Sequence, residues 1–245
     1  MRLKLISCEV MFREMCDAVA HSPHQVDVEF LPKGLHDLGA KAMRESLEAA
    51  VASSDPAGYE AVLLGYGLCG NGLDGLRAVS IPLVIPRAHD CIALLFGSRH
   101  RYREYFEQNP GVYFRSTGWL ERGRSLAQLA QQRTGIGATL EELIAKYGED
   151  NGRYLYEELY RYEGAYRQLT YIETGLEPND SFERHAREEA ALKNWAFTKV
   201  RGDLSLFERL VAGDWDADDF LVVEPGFEIV ARYDDGVVAA RRSSA

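Results

Sequence analysis

Short apolar runs alternate with stretches whose hydrophobic residues recur at helical spacing, and this alternation organises the first hundred residues. Residues 3–7 form a run of strand length; Phe12, Met15, Cys16 and Val19 then fall at i, i+3, i+4 and i+7, one face of a helix over 9–20. On that face Cys16 is expected to pack in the core. Residues 26–31 predict a second strand, closed by Pro32 and Gly34, and Met43, Leu47, Ala50 and Val51 mark a second amphipathic helix ending near Ser53-Ser54-Asp55-Pro56. Residues 61–64 are apolar throughout, as in a strand buried on both faces, and residues 83–85 predict a fourth strand. One helix is expected over 90–108, with Asp90 as its N-cap, and a fifth strand over 111–115.

Strands separated by helices imply parallel pairing with right-handed crossovers. The expected fold class is therefore α/β: a Rossmann-like or flavodoxin-like open, mostly parallel sheet, with a helical insertion in the C-terminal half. From Trp119 to Trp195 the chain turns helical in character and rich in Tyr, Glu and Arg. Leu155, Leu159, Tyr162, Tyr166 and Leu169 alternate spacings of four and three, a short seam that packs within the chain or against a second copy. Asp203 is expected to cap a helix carrying Leu204, Phe207, Leu210 and Val211 and ending at Gly213, and two strands flank Pro225-Gly226. The organisation expected is one α/β domain over 1–245 with a helical Tyr-rich insertion at 119–195. Internal repeats and low-complexity segments are absent.

Three cysteines sit just past the ends of the expected strands 1, 3 and 4: Cys8, Cys69 and Cys91. Ligands of an open α/β sheet bind beyond the carboxyl ends of its strands, and in the order 2-1-3-4-5 those three strands are neighbours, about 4.8 Å apart. The thiols are expected to converge on one ion, with Cys8, Cys69, Cys91 and His89 as candidate metal ligands. Three protein ligands and an open position form the catalytic zinc pattern. Soft thiolates also suit an iron–sulfur cluster, although the C-x2-C-x2-C run of many clusters is absent. Zinc is the first expectation, an iron–sulfur cluster the alternative, and buried thiols without any metal a third reading.

Gly65-Tyr66-Gly67-Leu68-Cys69-Gly70 matches G-x-G-x-x-G after a strand, with Asp90 twenty residues further on. The dinucleotide fingerprint needs its last glycine to open a helix. Here Asn71, Gly72 and Gly75 follow, and Pro82 already begins the next strand, so a tightly folded loop is the better reading. Gly67, Gly70, Asn71 and Gly72 would let backbone approach a bound group closely, and N–H groups there would favour negative charge on sulfur. No Gly-Lys-Ser/Thr of a phosphate loop follows. A thiol at a helix start, as expected for Cys91, is favoured as thiolate. His89 is open between fourth ligand, general acid/base and hydrogen-bonded loop residue. Glu9 and His36, from strand ends 1 and 2, are further candidates for proton transfer or ligation, with first-turn helix electrostatics the plainer reading for Glu9.

Composition narrows the partners. The 245 residues carry a net charge of −10, which argues against a nucleic-acid backbone as partner. Arg99, Arg101 and Arg103 are followed by Glu104 and Glu107, the pattern of a solvated helix face. No run approaches the ~18 apolar residues of a membrane span, and the apolar stretch after Arg2 and Lys4 is too short for a signal peptide. Four cysteines in such a chain are expected as thiols, ligands or core residues rather than disulfides, and the expected location is the cytoplasm.

The segments Ser7-Cys8-Glu9-Val10, Gly34-Leu35-His36-Asp37-Leu38, Gly65-Tyr66-Gly67-Leu68-Cys69-Gly70-Asn71-Gly72 and Pro86-Arg87-Ala88-His89-Asp90-Cys91 resemble the Domain of Unknown Function 1638 family. Pro110-Gly111-Val112-Tyr113-Phe114, Thr117-Gly118-Trp119-Leu120-Glu121 and Val223-Glu224-Pro225-Gly226 look like its later motifs. The family carries no established activity; its members resemble companions of corrinoid-dependent methyl-transfer systems. The resemblance implies one-carbon chemistry, although a D-x-H-x-x-G cobalamin signature is absent. With the thiol rim, the expectation is a metal-dependent enzyme, a methyltransferase or hydrolase, acting on a small-molecule substrate beside corrinoid methyltransferase proteins. The alternative is an accessory protein that carries, delivers or senses a metal, cluster or corrinoid. Neither nucleic acid nor membrane is an expected partner, and a homodimer is left open.

Overall fold

The computed structural model describes residues 1–122, 140–160 and 165–243. The chain gathers into two compact units: Met1–Tyr105 with Thr174–Leu176 and Arg201–Ala245, and Phe106–Glu173 with Glu177–Val200.

The first unit is built on a five-stranded sheet. Its strands are β1 (Arg2–Cys8), β2 (Gln25–Leu31), β3 (Ala61–Gly65), β4 (Leu83–Pro86) and, much later in the chain, Phe220–Val223. The order runs β2-β1-β3-β4 and then Phe220–Val223. The first four strands are parallel, with Leu3 opposite Ala61, Ser7 opposite Gly65 and Val62 opposite Leu83. The apolar runs earn these places: Leu3, Leu5, Ile6, Val62, Leu63, Leu64, Leu83, Val84 and Ile85 are fully buried. One face packs with Met43 and Leu47 of α2 (Ala40–Ala52). The expected neighbourhood of strands 1, 3 and 4 is present.

The fifth strand is a correction. Residues 111–115 do form a strand, β5 (Val112–Ser116), but it pairs in parallel with β6 (Gln168–Glu173) in a separate three-stranded sheet. The β4 edge is filled instead by the antiparallel Phe220–Val223. Arg87 fastens this edge: its guanidinium donates to the carbonyls of Ala217, Phe220, Gly236 and Val238.

Two helical expectations are also corrected. A 3-10 turn (Glu9–Met11) precedes α1 (Phe12–His21), and its tighter winding rotates the helix that follows. Val10, Met11, Glu14, Met15 and Ala18 are buried, while Cys16 is exposed. The helix expected over 90–108 is two helices, α3 (Cys91–Leu95) and α4 (Arg99–Gln108). Gly97, at φ +68°, breaks them, and a Cβ there would lie 2.5 Å from the Asp203 carboxyl carbon. The arginines of α4 are not merely solvated: Arg101 donates to the carbonyls of Phe96 and Arg201, and Arg103 pairs with Asp235.

In the second unit β5, β6 and β7 (Ala196–Arg201) lie side by side in that order. Leu169 and Tyr171 of β6 pack with Ala186 and Ala190 of the helix Ser181–Leu192. The buried Tyr171 hydroxyl meets the Thr117 hydroxyl at 2.7 Å, and Arg115 grips Glu189 through two hydrogen bonds of 2.8 Å. The segment 119–195 is therefore not wholly helical. Leu169 lies in a strand and Tyr166 just before it, so the expected seam does not continue through them; Tyr162 and the side chains of Leu155 and Leu159 lie outside the described residues.

Near the C-terminus, the helix Ser205–Ala212 starts one residue later than expected, with Leu204 at its N-cap, and Gly213 ends it at φ +79°. Asp203 Oδ1 accepts from the Ser205 N–H. Phe227–Ala231 pairs antiparallel with Val238–Arg242, a strand that the sequence pattern did not suggest. No described helix is long and apolar enough to cross a membrane.

Candidate functional site: the thiol rim

The three cysteines come to the carboxyl end of the first unit's sheet. Cys8 is the last residue of β1, Cys69 lies in the loop after β3, and Cys91 opens α3. Beyond the strands the β3 and β4 loops continue side by side: the N–H of Leu68 donates to the Ala88 carbonyl (2.8 Å), and that of Cys69 to the His89 carbonyl (2.9 Å). Gly67 permits this approach, since a Cβ there would lie 2.7 Å from the Asp90 backbone. Asp90 is the expected N-cap. Its Oδ1 accepts from the Ala93 N–H at 2.9 Å and its Oδ2 from the Tyr102 hydroxyl at 3.0 Å.

The loop then turns sharply. Cys69, Gly70 and Asn71 have φ of 48°, 64° and 67°, a left-handed run that only glycine enters without cost. Gly72 packs against Met43, where a Cβ would lie 2.3 Å from the sulfur, whereas open space surrounds Gly70. Packing thus accounts for Gly67 and Gly72, conformation for Gly70, and Asn71 stands exposed. Turns, not a helix, occupy 70–75, so no helix N-terminus meets a pyrophosphate at this loop.

Burial dominates the thiol electrostatics. Cys69 is pushed up to about 12 by burial, and the neighbouring Cys8 and Asp90 add to the rise. The backbone N–H groups of Gly67 and Cys91, hydrogen-bonding to the thiolate form, pull it back. Cys8 is pushed up to about 11 by burial; the Val10 N–H opposes this, Glu9 adds to it and Lys33 opposes it. Both are therefore neutral thiols at neutral pH, weak as nucleophiles. Cys8 and Cys69 also lie against the same apolar cluster as Ile6, Leu64, Tyr66 and Leu68.

Tyr66 is the residue that the sequence reading missed. Its side chain is 3% exposed and its buried hydroxyl has no hydrogen-bond partner among the described residues. Burial first, then Cys8 and Cys69, raise its pKa far beyond the usual phenol range. The signal was present in the alternation: Val62, Leu64, Tyr66 and Leu68 share one buried cluster, a period of two that runs past the end of β3.

The other candidates are dispersed. Glu9 is occupied structurally, its Oε1 accepting from the Lys33 N–H at 2.9 Å. His89 is exposed on the β4 loop, and its carbonyl holds Cys69. His36 lies in the 3-10 helix Lys33–Leu38, with its side chain outside the described residues. Among the described residues, no three His, Cys, Asp or Glu side chains are gathered as ligands of one metal ion. Ionisation of Cys8 would oppose that of Cys69, and the Cys91 backbone N–H favours the Cys69 thiolate. Two hollows of the first unit, about 730 Å³ beside Arg87 and Asp234 and about 460 Å³ beside Val51 and Val79, are lined by none of these thiols.

No curated protein and no solved structure matches the chain. One family model does, over residues 30–211, a span that holds Cys69 and Cys91 and begins after Cys8. That match covers well over half of the sequence, and the chain belongs to the DUF1638 family, described as protein of unknown function.

Proposed function

We propose that the protein binds a soft metal through thiolates at the sheet rim, with Cys8 and Cys69 as the nucleus of the site, Cys91 as third ligand and His89 as candidate fourth. The observation that carries this reading is the setting of the Cys69 sulfur. It lies in a loop that two backbone bonds tie to the segment leading into Cys91, at the sheet end where β1 finishes in Cys8, although among the described residues the three side chains are not gathered as one ligand set. The donor set fits the group: sulfur suits zinc or an iron–sulfur cluster, and backbone N–H donors around a thiolate are what such ligands use. Burial keeps Cys8 and Cys69 protonated, so binding releases protons and strengthens with pH. We put zinc ahead of a cluster. When bound, zinc would supply Lewis-acid activation of a thiol or a water. The chain's own part is to hold the sulfurs against an apolar floor of Ile6, Leu64 and Leu68 and to fix the two loops by the Leu68 and Cys69 backbone bonds.

The reaction class we favour is methyl transfer to a thiol, with hydrolysis second; the resemblance to companions of corrinoid systems supports it. A carrier or sensor of a metal, cluster or corrinoid is the second reading, and a specific observation favours it. Gly70 and Asn71, next to Cys69, and His89, two residues before Cys91, are exposed.

Purification without oxygen, metal quantification by mass spectrometry and a visible spectrum test the reading on wild type and Cys69→Ser. One zinc per chain, lost in the variant, is the expected result; iron with sulfide and a brown colour would select the cluster. Protein kept reduced and free of chelators that holds and takes up neither metal would sink the proposal and leave thiols that only pack.

A further inference from the structure

We propose that a second copy of this chain pairs with the outer edge of β2 by antiparallel strand addition, joining the five-stranded sheets of two copies into one continuous sheet. The pairing is independent of the thiol rim and of what the thiols bind.

The phase of the ladder identifies the free groups. The Gln25 N–H donates to the Met1 carbonyl at 3.1 Å, and Gln25, Asp27, Glu29 and Leu31 bond to β1 in parallel register. Alternation then turns the N–H and C=O of Val26, Val28 and Phe30 away from the sheet. No group among the described residues meets them. β2 is an edge of seven residues without proline or lysine. The opposite edge is guarded: Phe220–Val223 has four residues, Phe220 gives its N–H to the Asp216 carbonyl, and Arg87 donates to the Phe220 carbonyl. Short length and occupied or covered backbone blunt a sheet edge; β2 has neither.

Two observations point to a copy as the occupant. Antiparallel pairing about Val28 sets every outward residue against an outward residue: Val28 meets its own counterpart, and Val26 meets the partner's Phe30. Each such pair exchanges both of its N–H···O bonds and joins a β-branched side chain to a β-branched or aromatic one. Charge is the second observation. Asp27 and Glu29 lie between those positions, and carboxylates facing carboxylates would repel an identical strand. Here they are cancelled from within: Arg2 and the Tyr59 hydroxyl hold Asp27 at 3.0 and 2.8 Å, and Lys4 holds Glu29 at 2.8 Å. A basic peptide would find both carboxylates taken, whereas a copy brings its own cations. Pro23 and Pro32 bracket the strand and end the ladder on both sides.

The test is sedimentation velocity on the full-length chain across the micromolar range, with the thiols kept reduced so that disulfides do not contribute. Wild type is expected to pass from monomer to dimer as concentration rises. Val28→Pro removes an N–H that bonds nothing among the described residues. It should keep a circular dichroism spectrum and unfolding midpoint near wild type, while the dimer weakens about a hundred-fold or more. Hydrogen exchange of wild type reads the same contact without a variant: the amides of Val26, Val28 and Phe30 are expected to be protected in the dimer and to exchange freely on dilution. A monomer at every concentration would overturn the proposal and leave the edge to an extended segment of another protein. A dimer that Val28→Pro leaves at wild-type affinity would also overturn it, as would one in which those amides stay unprotected, since another surface would then hold the copies together. Should Val28→Pro fail to fold, the exchange measurement decides.

Discussion

Two buried tyrosines, one in each unit, make opposite use of the same chemistry. Tyr171, on β6, is 1% exposed and its hydroxyl meets that of Thr117 at 2.7 Å. Tyr66, just past β3, is 3% exposed and its hydroxyl meets nothing among the described residues. In the second unit Arg115 and Glu189 close on each other in the same way. At the thiol rim of the first unit one buried hydroxyl remains unsatisfied in the cluster that two cysteines border. A closed buried pair specifies a packing; an open one marks a place where a further group completes the structure.

The contrast can be attacked from both sides. The largest effect is expected from Gly67→Ala. Its Cβ would press on the Asp90 backbone at 2.7 Å, so the β3 and β4 loops must separate, at a cost of about 3 kcal/mol. Metal uptake should fall with it, and denaturant unfolding together with a Cd²⁺ titration measures both. A variant that unfolds like wild type would show that the rim is not held by this contact.

Tyr171→Phe comes next. It leaves the Thr117 hydroxyl buried and unpaired, a loss of about 2 kcal/mol in denaturant unfolding, most of which Thr117→Val in the same chain should restore. Tyr66→Phe should show no such loss without metal, and equal losses at the two sites would erase the contrast.

Alkaline pH offers a third approach. Burial pushes Tyr171 up to about 12, partly offset by the Thr117 hydroxyl. The unfolded tyrosine releases its proton near 10 while the folded one keeps it, so its contribution is whole below pH 10 and is lost as pH climbs toward about 12. Unfolding midpoints measured across that range should decline less steeply in Tyr171→Phe than in wild type. The smallest effect is expected for Gly70→Ala. Open space surrounds this residue and only its φ of 64° resists a side chain, a cost of about 1 kcal/mol with Cd²⁺ affinity retained.

How far the chain could be read depended on whether a feature was local. Continuous apolar runs at 61–64 and 83–85 predict buried parallel strands, and the neighbourhood of strands 1, 3 and 4 follows from alternation with helices. The N-cap at Asp90 and the stop at Gly213 were legible from residue type. Pairing over long separations was not: residues 111–115 and 220–223 are equally good strand sequences, and nothing local says which of them meets β4. Helix phase was lost at the 3-10 turn Glu9–Met11, which took Glu14 inward and Cys16 outward. At the rim, the cysteines and the capping aspartate stood out by type and position. Tyr66 did not, because it was embedded in glycines that drew the eye to a phosphate fingerprint, although its place in a period-two series was on the page.

The Arg87 fastening has a consequence in time. The partner of β4 and the carbonyls that Arg87 holds all lie beyond residue 216, more than a hundred residues after β4 leaves the ribosome. Synthesis proceeds at about 5–20 residues per second, so for several seconds the nascent chain carries an apolar sheet whose β4 edge is bare. Such an edge recruits other strands. The late C-terminal segment is therefore what ends a period of vulnerability, and a chain cut short before it would leave that edge permanently open.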